Sequence, residues 1–356
     1  MNPTGYLVLE TGQIFSGRWR GGRESAGEVV FNTGHSGYEE MATDPSYFSQ
    51  ILVTTATMQG NYGENDKEWE SEKIWIRGFI CLEMQESSRD HSWLDKLTSH
   101  KVPVLSDIDT RNLVITLREQ GTTWGAIIQA SSEKEAFQKA KALIQEEKTQ
   151  DKDWVSQVTC SQSYILEGHR TSGPKVAVMD FGCKKNTLRE LQYRCSEVRV
   201  YPSKTSAKEI LSQKPDGVLL SNGPGDPEDV QMAAETVKSL LGQTFVFGIC
   251  MGHQILARAL GLKTYRLKFG HRGSNHPIKD LILNKIYMTS QNHGYAVESS
   301  NLGQDIEVTH WNLNDNTVSG IQNKKAKCLS VQFHPESRPG PHDAETLFDY
   351  FIKQVQ

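Results

Sequence analysis

The fold of the second half of this chain is decided by residues 245–254, FVFGICMGHQ. The first five are apolar or glycine, as in a buried strand, and a helical pattern begins directly after Cys250. Glycines stand two positions before and two positions after this cysteine. Because a sharp turn from strand to helix leaves no room for side chains there, the spacing predicts a nucleophile elbow with Cys250 at its tip.

Such an elbow would give Cys250 a reactivity that a structural thiol lacks. A helix N-terminus carries about half a positive charge, which favours the thiolate, the nucleophilic form of cysteine. Backbone N–H groups at the turn can stabilise an oxyanion. The five residues around Cys250 taken alone fit a packed strand end with an inert thiol equally well. Their position between a buried strand and a helix favours a catalytic role.

Alternating strand and helix patterns surround the elbow from residue 175 onward. Strands are predicted over residues 176–181, 198–201, 217–221 and 245–249, with helices over 186–194, 206–213, 228–241 and 251–260. This alternation predicts a doubly wound, mostly parallel sheet covered by helices on both faces. Reactive groups gather at the carboxyl ends of such strands. Residues 262–334 return to strand-like runs, and a helix over 343–355 closes the chain.

A base for the cysteine is found in residues 331–336, VQFHPE. On an extended chain, residues two apart point the same way, so His334 and Glu336 would face one side, with Pro335 stiffening the link. A nucleophile needs a base, and the base needs an orienting group. One His-x-Glu alone also occurs in ordinary surface loops, but together with the elbow it indicates a triad. His293 is a rival base, interpreted as a loop histidine because His334 has the better orienting partner.

Two glycine-containing runs call for opposite interpretations. Residues 221–227, SNGPGDP, follow a predicted strand, and their glycines would let the backbone approach a ligand closely, although an ordinary turn is also possible. Residues 168–173, GHRTSG, imitate the glycine spacing of a P-loop, but Pro174 and Lys175 follow in place of Lys-Ser/Thr. We therefore predict no nucleotide site and no cofactor in this chain.

The first part of the chain has a different character. Residues 5–130 contain short apolar runs broken by glycine, which predict a strand-rich domain with one helix over 111–119. Residues 132–150 predict one exposed amphipathic helix, and the polar stretch that follows lacks periodicity. The predicted organisation is an N-terminal α+β domain (1–150), a linker (151–174) and a C-terminal α/β domain (175–356).

Composition narrows the class of protein. The 356 residues are 37% hydrophobic and 23% charged, with a net charge of −4, so nothing favours nucleic acid or an anionic membrane as the partner. No apolar stretch approaches the roughly 20 residues that span a bilayer, and the first ten residues do not resemble a signal peptide. Six cysteines without a CxxC pair predict free thiols in the cytoplasm and no metal site.

These motifs resemble the class I, or triad, glutamine amidotransferases. The runs CMGHQ, SNGPGDP and FHPE occur in that family's order, and the resemblance implies a flavodoxin-like sheet. The N-terminal half resembles the carbamoyl-phosphate synthetase small chain through a set of further runs: residues 27–33, 37–40, 44–47, 60–63 and 108–111, with 275–279 in the second half. Together these runs span nearly the whole chain.

The resemblance implies a role for each matching residue. Cys250 would be the nucleophile, His334 the base and Glu336 its orienting group. Main-chain groups of Gly223 and Met251 would form the oxyanion hole. The positions expected to bind L-glutamine are Ser46, Gly223, Gly225, Met251, Gln254, Asn292, Gly294 and Tyr295. Met251 stands where leucine is usual in the family, and Tyr295 where phenylalanine is frequent.

The resemblance also implies a partner. A large subunit would use ATP and Mg²⁺ to make carbamoyl phosphate from bicarbonate and the released ammonia, for arginine or pyrimidine biosynthesis or both, in a heterodimer that can assemble further. One alternative is a free-standing glutaminase or γ-glutamyl hydrolase, which leaves residues 1–150 unexplained. Another is a regulatory or scaffolding subunit with an inactive site, against which the intact Cys250, His334 and Glu336 argue.

Overall fold

The computed structural model describes residues 4–87, 91–150 and 152–356. The chain divides into two compact units at residues 151 and 152. The first unit is rich in strands, and the second alternates strands with helices. None of the helices in the described ranges is both long and apolar enough to cross a membrane.

A closed β-barrel forms the first unit. The described strands of this unit are β1 (Thr4–Leu9), β2 (Ile14–Gly21), β3 (Ser25–Asn32), β4 (Gln50–Thr54), β5 (Met58–Gln59), β6 (Gly78–Ile80), β7 (Glu83–Met84), β8 (Val104–Ser106) and β9 (Thr123–Gln129). Of these, β5 and β7 pair with each other in a separate two-stranded sheet, and the other seven form the barrel. The barrel order is β1-β2-β8-β6-β4-β3-β9, and β9 pairs back onto β1. Closure leaves the barrel without an unpaired edge, which protects it from pairing with other chains.

Helices cover part of the outside of the barrel. They are α1 (Tyr38–Thr43), α2 (Trp93–Ser99), α3 (Thr110–Gln120) and α4 (Glu133–Lys148), with single 3₁₀ turns at Pro45–Tyr47 and Asp66–Glu68. Tyr38 of α1 and Trp93 of α2 pack with Leu52, Phe79 and Val104 of the barrel in one buried cluster. The strand-rich domain predicted for this region is confirmed.

The predicted amphipathic helix is α4, and its apolar stripe is buried. Ala136, Ala140 and Ile144 recur every four residues, so they share one face of the helix. That face packs against β1, β3 and β9, where all three side chains are at most 5% exposed. The side chain of Ser132 caps the helix by accepting a hydrogen bond from the N–H of Glu135 at 3.3 Å. The small alanines let the helix lie close to the barrel.

Replacing Ala140 with aspartate tests the packing of α4. The substitution would bury an unpaired carboxylate against the barrel, so we expect the free energy of unfolding to fall by about 2–5 kcal/mol. Ala142→Asp is the matched control, because Ala142 lies on the exposed face of the same helix, and it should change stability by less than about 0.5 kcal/mol. Urea denaturation of both variants measures the difference; equal midpoints would contradict this packing.

The second unit contains one large sheet with helices on both faces. Its described strands are β10 (Tyr164–Glu167), β11 (Lys175–Asp180), β12 (Glu197–Pro202), β13 (Gly217–Leu220), β14 (Phe245–Ile249), β15 (Thr264–Asp280), β16 (Lys285–Val297), β17 (Glu307–Asn312), β18 (Val318–Asn323) and β19 (Cys328–Val331). Its described helices are α5 (Trp154–Val158), α6 (Lys185–Arg194), α7 (Ala207–Ser212), α8 (Gln231–Leu240), α9 (Met251–Ala259) and α10 (Thr346–Val355).

The strand order is β10-β12-β11-β13-β14-β19-β18-β16-β15-β17. The five neighbouring strands β12, β11, β13, β14 and β19 are parallel to one another. Strand β10 at one side, and β18 at the other, pair antiparallel with this group. Val246 of β14 faces the layer of α8 and α9, and Phe247 faces the layer of α10. Because β14 is buried on both faces, its sequence is continuously apolar rather than alternating. The predicted doubly wound sheet is confirmed.

Residues 151–174, predicted as a linker, contain regular structure within their described part. They form the short helix α5 and the strand β10, which pairs antiparallel with β12 at the sheet edge. Sequence periodicity does not reveal them because α5 has only five residues and β10 is mostly exposed. This stretch therefore belongs structurally with the second unit.

Two helices begin three residues later than predicted. The helices expected from residues 228 and 343 begin at Gln231 and Thr346, because turns precede them: the N–H of Asp229 bonds to the carbonyl of Asp226, and that of Glu345 to His342. These errors concern element ends, where local hydrogen bonds decide.

Candidate active site

Three neighbouring parallel strands deliver the three predicted motifs to one edge of the sheet. Strand β14 lies between β13 and β19, with Leu220 paired to Gly248 and Ile249 paired to Val331. Parallel neighbours end at the same edge of a sheet. The residues that follow them, Ser221–Pro227, Cys250–Gln254 and Gln332–Glu336, therefore emerge side by side.

Cys250 occupies a strained turn between β14 and α9. Its φ of 54° and ψ of −105° lie outside the conformations that a residue with a side chain adopts readily. A Cβ on Gly248 would lie 2.6 Å from the carbonyl oxygen of Gly252, and a Cβ on Gly252 would lie 2.2 Å from that of Leu220. Only glycine fits at either position, so the turn predicted from the glycine spacing is present.

His334 and Glu336 form a buried pair. The Nδ1 atom of His334 lies 2.7 Å from Oε1 of Glu336, and both side chains are at most 2% exposed. The backbone N–H of His334 also donates to the carbonyl of Ser290 on β16 at 2.9 Å. The Glu336 carboxylate thus orients the imidazole, and the bond to Ser290 fixes the backbone that carries it, as a catalytic base requires.

The opposite ring nitrogen of His334, Nε2, is not bonded to Glu336. This atom is buried and makes no hydrogen bond of good geometry to the described residues. Burial lowers the pKa of this imidazole, but the charges of Glu336 and then Cys250 outweigh it and raise the pKa well above its ordinary value. Cys250 is thus among the groups that act on this imidazole. Catalytic hydrogen bonds often become short only when substrate binds.

Lys184 is a residue of this site that the sequence analysis missed. Its Nζ atom lies 3.3 Å from Oε1 of Glu336, and its side chain is 2% exposed. It also donates to the carbonyl of Ser337, while Asn186 donates to the carbonyl of Glu336. Lys184 follows β11, whose carboxyl end lies at the same edge as the three motifs. That placement was the one signal in the sequence.

The charge of Lys184 acts on Glu336. Burial by itself would raise the pKa of the Glu336 carboxyl group, but the ammonium of Lys184 and the imidazole of His334 hold it well below its usual range. Glu336 is therefore ionised near neutral pH and can orient a protonated imidazole. Buried charges are tolerated only when they are paired in this way.

Three of the residues expected to bind glutamine lie on β16, beside the cysteine. The Cys250 sulfur is 3.6 Å from the carbonyl oxygen of Asn292. Gln254 on α9 donates from Nε2 to the carbonyl of Tyr295 at 3.0 Å and to Gln332 at 3.1 Å. Gly294 and Tyr295 are partly exposed, whereas Asn292 and Gln254 are buried. The second unit thus brings nucleophile and predicted pocket together.

The remaining residues predicted to bind glutamine lie in the loop after β13, at the start of α9 and in the first unit. Gly223 packs tightly, since a Cβ there would lie 2.1 Å from the carbonyl oxygen of Phe181. Gly225 has a φ of +92°, which favours glycine, and a Cβ there would lie 3.6 Å from the Trp154 ring. Met251 is the first residue of α9. Ser46 lies in the first unit, buried in the turn Pro45–Tyr47, with its N–H donating to Asp44.

His293 is not a loop histidine, so that interpretation is wrong. It lies inside β16 and is buried, with Nδ1 bonded to the carbonyl of Tyr295 at 2.7 Å and Nε2 to Gln291 at 2.8 Å. Burial holds its pKa well below the ordinary value. With both ring nitrogens already bonded, His293 has no free atom for the cysteine and fits the role of base less well than His334.

All six cysteines are free thiols. In the described parts of the chain, no group of three or more His, Cys, Asp or Glu side chains is placed to hold a metal ion. The chemistry available at this site is that of a thiol, an imidazole and a carboxylate.

Comparison with known proteins matches each of the two units to a protein family. Residues 177–354 match the family described as glutamine amidotransferase class-I. The second unit is therefore a class-I glutamine amidotransferase domain. Residues 7–127 match the CPSase domain of the carbamoyl-phosphate synthase small chain.

Relatives match along almost the entire chain. The carbamoyl phosphate synthase small chain of Caldanaerobacter subterraneus subsp. tengcongensis is 45% identical, covering 99% of this chain and 96% of the relative. That of Clostridium perfringens is 45% identical over 98% of both. The pyrimidine-specific small chain of Bacillus subtilis is 44% identical over 98% of this chain and 95% of its own. The chain belongs to the carbamoyl-phosphate synthase small chain family.

Removing the carboxylate of Glu336 tests the electrostatics of the site. In Glu336→Gln the largest effect that raises the pKa of His334 is lost, while burial still lowers it. We expect that pKa to fall by about 1–3 pH units, so the imidazole loses its proton at lower pH than in the parent protein. A ¹⁵N NMR titration of the ring, assigned with His334→Asn, measures the change.

Glu345→Gln is the control for this titration. Glu345 pairs with His342 near the surface, so its removal should leave the pKa of His334 unchanged. An equal pKa for His334 in the parent and in Glu336→Gln would show that the pair does not govern the imidazole.

Proposed function

We propose that this chain hydrolyses L-glutamine at Cys250 and delivers the ammonia to the large subunit of a carbamoyl-phosphate synthase. The observation that carries the proposal is the buried arrangement of Cys250, His334 and Glu336 at the ends of adjacent parallel strands. Family membership of both units supports the partner. The chain itself would need no cofactor, since ATP and Mg²⁺ would be used by the large subunit.

The reaction begins with attack by the sulfur. The Cys250 thiolate adds to the side-chain amide carbon of glutamine, and the negative charge moves to the amide oxygen. Met251 is the first residue of α9, so its N–H has no carbonyl partner within the helix. Together with the N–H of Gly223 it is available to stabilise that oxygen. One such donor contributes about 2.7–4 kcal/mol to lowering the barrier in known enzymes.

Collapse of the tetrahedral intermediate requires an acid. His334 holds a proton at neutral pH because its pKa is raised, and it gives this proton to the departing nitrogen, which leaves as ammonia. The imidazole then removes a proton from water, which attacks the γ-glutamyl thioester and releases glutamate and the thiol. Glu336 keeps Nδ1 protonated throughout, so that Nε2 faces the reacting atoms.

Delivery inside a complex has a physical reason. Ammonia released into water near pH 7 would be protonated and would lose its nucleophilic lone pair. In the large subunit it would react with carboxyphosphate made from bicarbonate and ATP, and a second ATP would yield carbamoyl phosphate. The product would serve arginine or pyrimidine biosynthesis in the cytoplasm, in a heterodimer that can assemble further. A free-standing glutaminase would leave the first unit without a role.

Co-purification with a candidate large subunit tests the proposed function directly. We expect the complex to make carbamoyl phosphate from glutamine, bicarbonate and ATP, and to hydrolyse glutamine faster than the chain alone. A stable complex that uses ammonia but not glutamine would refute the proposal. Glutamine hydrolysis that does not respond to the large subunit would favour the free-standing enzyme.

Cys250→Ser isolates the nucleophile. A serine hydroxyl is far less acidic than a thiol, so we expect glutamine-dependent synthesis to fall by about 10³-fold or more. Ammonia-dependent synthesis in the same complex should be unchanged, which serves as the control for folding and assembly. Glutamine-dependent synthesis at the normal rate would remove Cys250 from the mechanism.

Ser46→Ala tests the one predicted pocket residue of the first unit. If its hydroxyl donates to a charged group of glutamine, loss of that bond should raise the KM for glutamine about tenfold, with kcat little changed. Ser36→Ala is the control, because Ser36 is exposed in the same unit. An unaltered KM in Ser46→Ala would exclude Ser46 from the pocket.

A further inference from the structure

The pairing of β15 with β16 is interrupted beside the predicted glutamine pocket. Arg266 pairs with Tyr295 and His271 pairs with His293, so five steps along β15 correspond to two along β16. The extra residues, 267–270, form a bulge opposite Gly294. A bulge leaves backbone groups out of the ladder and bends the strand. Its shape therefore depends on contacts made by side chains.

Arg272 holds this bulge closed. Arg272 is only 5% exposed, and its Nη1 atom donates to the carbonyl of Phe269 at 2.9 Å. Gly270, with a φ of +73°, leaves the space for that contact: a Cβ there would lie 2.4 Å from the same Nη1 and 2.5 Å from the carbonyl oxygen of His293. Glycine at 270 is what lets the guanidinium lie against β16.

The Arg272 guanidinium also lies beside β16, the strand of the predicted glutamine pocket. Nη2 lies 3.5 Å from the position that a Cβ on Gly294 would occupy, and, apart from Gly294 and its two neighbours in the chain, no other described residue lies within 4 Å of that position. Arg272 is paired in register with Asn292, whose carbonyl lies beside the Cys250 sulfur. Its charge, after burial and His271, helps to lower the pKa of His293. The Arg272 guanidinium thus lies next to Gly294, and Arg272 itself is paired with Asn292.

We propose that Arg272 is a positioning residue for the glutamine pocket, which sets the affinity for glutamine by holding Asn292–Tyr295 in its binding conformation. It does this by joining the bulge 267–270 to Gly294. The proposal rests on the proposed function, because it assigns a substrate to this strand. Arg272 does not touch the reacting atoms, so binding and not the chemical step should depend on it.

Arg272→Gln in the complex with the large subunit tests this role. The shorter, neutral side chain cannot both bond Phe269 and support Gly294, so we expect the KM for glutamine to rise tenfold or more. The kcat and the ammonia-dependent rate should stay within about threefold of the parent. Arg272→Lys keeps the charge and one donor, so its KM should lie between the two. Arg266→Gln, exposed on the same strand, should leave KM unchanged.

A chemical probe gives a second measurement on the same variants. A diazoketone analogue of glutamine should inactivate Cys250 in Arg272→Gln with a raised half-saturation concentration and an unchanged limiting rate. Iodoacetamide, which does not need the pocket, should alkylate Cys250 at the parent rate. If Arg272→Gln does not fold, Arg272→Lys carries both measurements.

Two results would overturn the assignment. The first is a KM and a half-saturation concentration within twofold of the parent in a folded variant. The second is a parallel loss of kcat, ammonia-dependent synthesis and iodoacetamide reactivity, which would indicate a general structural role. A parent complex that cannot use glutamine at all would instead refute the proposed function, so the two failures are distinguishable.

Discussion

One backbone hydrogen bond, from the N–H of Cys250 to the carbonyl of Val331 at 2.9 Å, joins the strand that precedes the proposed nucleophile to the strand that precedes the proposed base. It continues the parallel pairing of β14 with β19 by one more residue. Because the two strands run the same way, the cysteine and the histidine emerge at the same edge. Antiparallel pairing would have sent them to opposite edges, so the proposed triad depends on this direction.

The same edge concentrates conformational strain and buried charge. The left-handed φ of Cys250 costs about 1–3 kcal/mol and persists because Gly248 and Gly252 pack too closely for any relaxed alternative. Removing an ion from water costs several kcal/mol, which only a well-placed partner offsets. The Glu336 carboxylate meets that condition, because it pairs with Lys184 on one side and with His334 on the other. The surrounding sheet supplies the rigidity that both features require.

The antiparallel half of the sheet has a separate task. Strand β16 presents Asn292, Gly294 and Tyr295 beside the nucleophile, and β15 backs it with a bulge and a buried arginine. The bulge 267–270 is bonded to the guanidinium of Arg272, which lies beside the partly exposed Gly294 of β16. The parallel half therefore organises the reacting groups, and the antiparallel half shapes what they act upon.

Sequence alone determined the features that arise from neighbours along the chain. Glycines around Cys250 predicted the elbow, the spacing of His334 and Glu336 predicted a shared face, and the four-residue repeat of Ala136, Ala140 and Ile144 predicted α4. Only the tertiary structure decided the closure of the barrel, the position of His293 within β16, the pairing of Lys184 with Glu336 and the position of Arg272 beside Gly294. Each of these joins residues that are distant in sequence. Local periodicity contains no information about which strand lies beside which, because strand order is set by the packing of the whole sheet.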